Sequence, residues 1–526
     1  MFQISNLSGI MFFVFLITAA VSLLLGNRFK LRQVLNNLQM NEKRDEKLTL
    51  ISSTILGMSL VLTFIIVQKR YETCLLPQGF DTAAYIYHGE LLEAGELLRV
   101  LRSTKTIPYL ITFCVYKLCK GSLYLTGILL PFVFAYLYVG LIFATIYIMK
   151  KDFLLASLCA FFTPLTFFFV RLTYDLFGQT LVIGILLLLL SVLSKIMSRN
   201  FNVKTAVYIF ILILTIFLVH AWSIFLILPF LALNIFFNIL VNRSTLSKGV
   251  FIITLTFLSI SSVIFVIVFS REVFWFLFSV IPTEFHFLSF HIDNWYWFAC
   301  SESFLVWLFS TIGVFFMGLK REKFDIILLL WILYIAGMVL ITGYVQSYRL
   351  LLYIPGGVYG GTCLYYLTRI LYFTTKKSSK IFLLIILSTM VLATFLNTYS
   401  HAYIPAYVYY PSEQTVEQLY YIRHVYGFGN ENVVVMVYTG YHGSYWWVYA
   451  ITGTKVFIGS IDMLLVNGTD KFGNPIQVNN DTTVIFATHI YGNVPPVVIN
   501  YGKRITSGIY TIRYSLLKET SNNEDI

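Results

Sequence analysis

Long apolar runs constrain this chain more than any other feature, because about 20 consecutive apolar residues can cross a bilayer as a helix. Of the 526 residues, 58% are hydrophobic and only 12% are charged, which excludes an ordinary soluble protein of this length. The runs predict about 12 transmembrane helices. They lie near residues 9–26, 49–68, 122–148, 153–171, 176–194, 205–219, 222–240, 250–270, 300–318, 325–343, 350–372 and 381–397.

The loops between these runs are basic in alternation, as in 27–48, 195–204 and 319–324. The positive-inside rule places such loops in the cytoplasm. It therefore places the N-terminus, the long loop 69–121 and residues 398–526 outside the cytoplasm. We expect a multi-pass protein of the cell membrane, whose net charge of +12 reflects topology and not nucleic-acid binding.

The composition changes near residue 398, where hydrophobicity falls and Asn, Gly, Thr and Asp become frequent. Alternating helical and strand patterns predict a small extracytoplasmic α/β domain over 398–526, following a transmembrane domain over 1–397. The polar tail from Lys518 is predicted to fray. The predicted elements are helices over 413–424 and 443–452 and strands over 433–438, 455–459 and 483–488.

Three charged residues far apart in sequence map to helix ends on the outer face. Asp81 lies in Gly79-Phe-Asp81-Thr-Ala-Ala-Tyr85, Asp175 in Leu172-Thr-Tyr-Asp175-Leu-Phe-Gly178, and Arg349 in Tyr348-Arg349-Leu-Leu-Leu-Tyr-Ile-Pro355. Charges are costly at membrane depth, so those that converge at helix mouths indicate a site. We expect the three side chains to approach one cavity at the outer membrane boundary.

These segments, the multi-helix body and the small outer domain resemble the GT-C glycosyltransferases. That superfamily includes the protein O-mannosyltransferases, the lipid A aminoarabinose transferases, the oligosaccharyltransferase catalytic subunits and many archaeal relatives. This chain differs in having one additional span at its start and a single Asp in the first loop. Trp446-Trp447 is followed by Val448, so the Trp-Trp-Asp motif of the oligosaccharyltransferases is missing.

The resemblance implies an enzyme that moves a sugar from a polyprenyl (dolichyl) phosphate-linked donor to a protein or lipid-linked glycan acceptor on the outer face. Asp81 would be the base that activates the acceptor hydroxyl. Arg349 would hold the donor phosphate with its planar guanidinium. Further donor-phosphate contacts are expected from Arg171 and His220, and supporting roles from Asp175, Tyr85 and His88.

No cofactor is required for this reaction, and the expected partners are the donor, the acceptor and the bilayer. A divalent cation would need ligands, and the candidates have no recognisable metal-ligand spacing. We therefore predict no metal site. These candidates are Glu284, His286, His291 and Asp293.

Each site residue also has a purely structural interpretation. Asp81 and Asp175 could cap the helices that follow them, over 82–94 and 176–194. Arg349 could be an interfacial anchor, and His220 an ordinary turn residue.

The leading alternative function is a membrane transporter or lipid flippase without glycosyl transfer. The chain has no internal repeat of the type that many transporters show, and its mid-membrane segments lack paired Gly/Pro breaks. A third interpretation is a non-catalytic membrane scaffold that carries the outer domain.

Overall fold

The computed structural model describes residues 2–25, 46–69, 82–101, 105–196, 203–241, 302–340, 349–373, 377–401, 413–437, 444–469 and 476–523. The chain divides into two compact units. The first, called the helical unit, comprises Met1–Lys69, Arg102–Ile107 and Pro131–Tyr403. The second, called the mixed unit, comprises Arg70–Leu101, Pro108–Leu130 and Ile404–Ile526.

Helices dominate the described residues up to His401. In chain order they are α1 (Phe2–Leu25), α2 (Glu46–Gln68), α3 (Thr82–Glu93), α4 (Leu97–Leu101), α5 (Thr106–Leu118), α6 (Leu123–Lys150), α7 (Phe153–Phe162), α8 (Phe167–Asp175), α9 (Phe177–Ile196), α10 (Val203–Val219), α11 (Ser223–Val241), α12 (Phe304–Lys320), α13 (Lys323–Leu340), α14 (Gly356–Phe373) and α15 (Lys377–His401).

Five of these helices, α1, α2, α6, α9 and α15, are long and apolar enough to cross a membrane. The pair α7 and α8 would add a sixth span if it counts as one. These helices indicate a bilayer environment. Eleven of the twelve predicted runs coincide with described helical segments, several of which are short for a full span, and run 250–270 lies outside the described residues.

The run 153–171, predicted as one span, is broken. A 3-10 turn over Thr163–Leu165 separates α7 from α8, and the two helices are bent by 75°. Pro164 interrupts the hydrogen bonding of α7 because it has no N–H, although Thr163 before it remains helical with φ −54° and ψ −52°. Thr166 is extended, with φ −94° and ψ 141°, and its hydroxyl caps α8.

Helix α14 also begins later than the predicted run 350–372. Residues 349–351 form one helical turn, and α14 begins at Gly356, directly after Pro355. Glycines then let α14 approach its neighbours closely, as small residues do in membrane helix pairs. A Cβ on Gly360 would overlap the Phe162 ring of α7, and one on Gly313 of α12 would overlap the Tyr359 carbonyl of α14.

A partly buried ionic cluster joins two loops that the sequence predicts to be cytoplasmic. Lys150 Nζ, at the end of α6, lies 2.5 Å from Glu322 Oε2 and 2.6 Å from Asp325 Oδ1. Burial alone would raise the pKa of Glu322, but the ammonium groups of Lys150 and Lys320 outweigh it and lower this pKa to about 2. Removing one partner of such a buried pair would leave an uncompensated charge.

The mixed unit contains a five-stranded sheet of order β2-β1-β3-β5-β4. Strands β1, β2 and β3 are parallel, whereas β5 is antiparallel to both β3 and β4. The three predicted strands and two predicted helices are confirmed. The elements are α16 (Glu413–Tyr426), β1 (Val433–Val437), α17 (Ser444–Thr452), β2 (Lys455–Ile458), β3 (Thr483–Ala487), α18 (Thr488–Tyr491), α19 (Pro496–Tyr501), β4 (Lys503–Thr506), β5 (Ile509–Arg513) and α20 (Tyr514–Asn523).

The prediction of a frayed tail was wrong as far as Asn523. Helix α20 continues to this residue. Leu517 is fully buried in the apolar cluster beside β5 and anchors the helix, whereas Lys518 and Glu519 are exposed.

Candidate functional site

The predicted site residues fall in different parts of the structure. Asp81 lies outside the described residues. Asp175 is the last residue of α8, and Arg171 lies one turn earlier in the same helix. His220 lies in the turn between α10 and α11, and Arg349 is exposed in the helical turn that precedes α14.

A hydrogen-bond chain connects the His220 turn to the segment that carries Arg349. His220 Nδ1 lies 2.8 Å from Ser223 Oγ, and Ser223 Oγ lies 2.5 Å from the Tyr353 hydroxyl. Ser223 and Tyr353 are each 3% exposed. Tyr353 follows Arg349 by one helical turn, and the Arg349 guanidinium interacts electrostatically with its hydroxyl.

The segment that follows Asp175 contacts the same series of hydrogen-bonded side chains. The Gln179 side chain hydrogen-bonds to the Tyr353 hydroxyl. Gly178 packs against the His220 turn so closely that a Cβ there would lie 3.1 Å from the Val219 carbonyl oxygen. Residues 178–179, 220–223 and 349–353 therefore meet at one place in the helical unit, which we call the polar junction.

The polar junction contains a buried hydrogen-bond acceptor that has no donor among the described residues. Gln179 is 5% exposed, and its Oε1 accepts no hydrogen bond from the described residues. A buried amide oxygen without a donor is unfavourable, so a hydroxyl group that reached it would bind favourably. With the nearby imidazole and guanidinium, the junction offers groups suited to an anion and to a neutral hydroxyl.

Glu302 is a charged residue of this region that the sequence reasoning missed. It is 2% exposed, and its carboxylate accepts hydrogen bonds from the backbone N–H groups of Phe167 at 3.0 Å and Phe168 at 3.2 Å, the first two residues of α8. The signal in the sequence was an isolated carboxylate inside the predicted span 300–318, where a charge is costly.

Tyr85 and His88, predicted as supporting residues, are packed inside the mixed unit. The His88 ring stacks on Tyr109 with a centroid distance of 3.9 Å, and Tyr85 meets the same ring edge-on at 5.4 Å. His88 Nδ1 lies 2.7 Å from the Ala84 carbonyl oxygen. These contacts fix both side chains in α3.

A buried carboxyl group lies two residues further along α3, close to a guanidinium of α16. Glu90 is 4% exposed, and its Oε1 lies 3.3 Å from Arg423 Nη1 of α16. Burial raises the pKa of Glu90 to about 8, although the Arg423 guanidinium acts in the opposite direction. Neighbouring Glu93 adds to the rise. Glu90 is therefore largely protonated at neutral pH.

The candidate metal ligands at 284–293 lie outside the described residues. Within the described ranges, no group of three or more His, Cys, Asp or Glu side chains is placed to hold a metal ion.

No protein-family model matches this sequence, and none of the curated proteins matches it significantly. The function is therefore argued from the residues of this chain.

Proposed function

We propose that the protein is an integral-membrane glycosyltransferase that moves a sugar from a polyprenyl (dolichyl) phosphate-linked donor to a protein or lipid-linked glycan acceptor on the outer face. The observation that carries the proposal is the polar junction, because it groups hydrogen-bonding and cationic side chains at helix ends within a unit of long apolar helices. The lipid tail of such a donor needs apolar helices around it, and its phosphosugar head needs cationic and hydrogen-bonding side chains.

For each part of the donor molecule, the protein offers a side chain that can bind it. Arg349 offers the planar fork that binds phosphate oxygens, and His220 offers a second donor when protonated. Arg171 is the further cation in α8. Gln179 Oε1 can accept a hydrogen bond from a sugar hydroxyl. Asp81 is the proposed base for the acceptor hydroxyl, on the strength of its predicted place in the first outer loop.

The proposal includes about 12 spans, with the N-terminus and residues 398–526 outside the cytoplasm. Two observations support it. The basic loops alternate along the sequence, and the partly buried Lys150–Glu322–Asp325 cluster joins loops on the side predicted to be cytoplasmic.

A transporter or lipid flippase is the second candidate. The break between α7 and α8 favours it, because discontinuous helices form the substrate sites of many transporters. The sequence reasoning missed the break at Pro164. The described residues contain one such bent pair, which is unlike the paired breaks of repeat-built transporters.

Mass spectrometry of cell-envelope glycoproteins and glycans, with and without the protein, tests the proposal. We expect one sugar addition to disappear in its absence. Proteoliposomes containing the purified protein and a fluorescent polyprenyl phosphate then separate the candidates. Transbilayer movement of this lipid together with an unchanged set of glycans would support the flippase and contradict the transferase.

A further inference from the structure

The N-terminus of α8 is held by a carboxylate from a distant part of the chain. The N–H groups of Phe167 and Phe168 donate to Glu302 Oε1 and Oε2, and the N–H of Phe169 donates to Thr166 Oγ1 at 3.1 Å. The first amides of a helix have no partner within it and carry the positive end of the helix dipole. Glu302 therefore supplies the acceptors that these amides lack.

Water cannot replace this carboxylate easily. Glu302 and Thr166 are 2% and 4% exposed, and Phe167 and Phe168 are also buried. Hydrogen bonds to charged groups are stronger than those between neutral groups, and a buried N–H that loses its acceptor keeps the full desolvation penalty. The contact should therefore hold α8 more firmly than the single hydroxyl cap of Thr166.

The start of α14 and the end of α15 also contact the break between α7 and α8. Thr398 Oγ1 of α15 donates to the Leu165 carbonyl at 2.5 Å, and Gly356 packs so that a Cβ would lie 3.4 Å from Thr166 Cγ2. Gly356 follows the Arg349–Tyr353 segment within a few residues. These contacts connect the start of α8, which carries Arg171, to the segment that carries Arg349.

We propose that Glu302 is a positioning residue for the polar junction. By holding the N-terminus of α8 at the break, it fixes the direction of the helix that bears Arg171 and Asp175 and leads into Gln179. Its role in donor binding rests on the proposed function, whereas its hold on α8 does not.

Hydrogen exchange on the full-length protein in detergent tests the hold directly. In Glu302→Ala and Glu302→Gln, we expect the amides of residues 167–175 to exchange about tenfold faster or more, with the smaller change in Glu302→Gln because its amide oxygen still accepts one bond. Ser303→Ala is the matched control. It removes the hydroxyl cap of α12, which accepts from the Leu305 N–H at 3.3 Å, and leaves α8 untouched. Equal exchange of α8 in Glu302→Ala and Ser303→Ala would overturn the inference.

Binding of geranylgeranyl phosphate tests the consequence for the junction. We expect the Kd to rise about tenfold in Glu302→Gln while the number of binding sites and the melting temperature stay near those of Ser303→Ala. A Kd that changes equally in both variants would contradict a positioning role. If the wild-type protein binds no polyprenyl phosphate, the proposed function fails, and the exchange experiment alone decides whether Glu302 holds α8.

Discussion

Burial in the mixed unit strongly alters the ionisation of Glu90. Its pKa is raised from 4.5 to about 8, chiefly because it is buried. The folded protein therefore binds one more proton than the unfolded chain between these two pH values. The stability that Glu90 contributes is fully present below about pH 4.5 and is lost as the pH rises through about 8.

Replacing Glu90 should remove this pH dependence. A tenfold change in proton affinity corresponds to about 1.4 kcal/mol, so the effect is large enough to move a melting curve. We expect the melting temperature of the wild-type protein to fall between pH 5 and pH 8.5 by several degrees more than that of Glu90→Gln. The matched control is Glu519→Gln in α20 of the same unit, because Glu519 is exposed. A wild-type curve parallel to that of Glu90→Gln would contradict the burial argument.

The Tyr353 hydroxyl is the central member of the polar junction, since both Ser223 and Gln179 hydrogen-bond to it. Tyr353→Phe leaves the ring in place but deprives both buried partners of a hydrogen bond. We expect binding of a polyprenyl phosphate to weaken about tenfold. Tyr334→Phe removes a hydroxyl that donates to the Leu226 carbonyl at 2.8 Å and should leave binding near that of the wild type. Equal losses in the two variants would argue against a specific role for the junction.

Helices α12 and α14 approach each other closely at a glycine. Gly313 of α12 has no room for a side chain, because a Cβ would overlap the backbone carbonyl of Tyr359. Backbone cannot move aside as the end of a flexible side chain can.

Gly313→Ala should therefore destabilise the protein by about 1–3 kcal/mol, the usual range for overpacking a close contact. Gly337→Ala, in α13, places its methyl group where nothing lies within 4 Å and should be neutral or slightly stabilising. Thermal unfolding of the two variants in the same detergent measures the difference. A Gly313→Ala protein as stable as Gly337→Ala would show that the two helices pack less closely than described.

Local patterns predicted most helices and the three parallel strands, because apolar length and burial on both sheet faces are visible in the sequence. They missed β4 and β5. Lys503 and Arg504 of β4 are exposed at the sheet edge and give no apolar signal. They also missed the break at Pro164, since the apolar run continues across it. The partners that hold the break, Glu302 and Thr398, are distant in sequence, and no local pattern reports such contacts.

At the scale of the whole molecule, the positive-inside rule predicts which surfaces face the cytoplasm. Val466 in the mixed unit is 81% exposed, and Lys323 lies exposed at the start of α13 in the predicted cytoplasmic loop 319–324. In a cysteine-free background, we expect Val466→Cys to react with an impermeant maleimide in intact cells. Lys323→Cys should react only after permeabilisation. The reverse pattern would overturn the topology.

The sequence predicts that Asp81, Asp175 and Arg349 form one site. Asp81 lies outside the described residues, whereas the segments that follow Asp175 and Arg349 meet through Gln179 and Tyr353. The hydroxyl and amide groups that join them could not be predicted, because Ser223, Gln179 and Tyr353 lie in no recognisable motif. Charged residues at helix ends indicated the region in the sequence. Its neutral residues are brought together by packing between segments that are distant in sequence.

Transfer of a labelled sugar from a polyprenyl-phosphate donor to an acceptor, by the purified protein in liposomes, is the decisive test of the proposed function. We expect transfer by the wild-type protein and a fall of about 10²–10⁴-fold in Asp81→Asn, which keeps the size of the side chain but removes its basicity. Arg349→Lys should weaken donor binding while the protein stays folded. Wild-type rates in Asp81→Asn, or no transfer from any polyprenyl-phosphate sugar by the wild-type protein, would show that the proposed function is wrong.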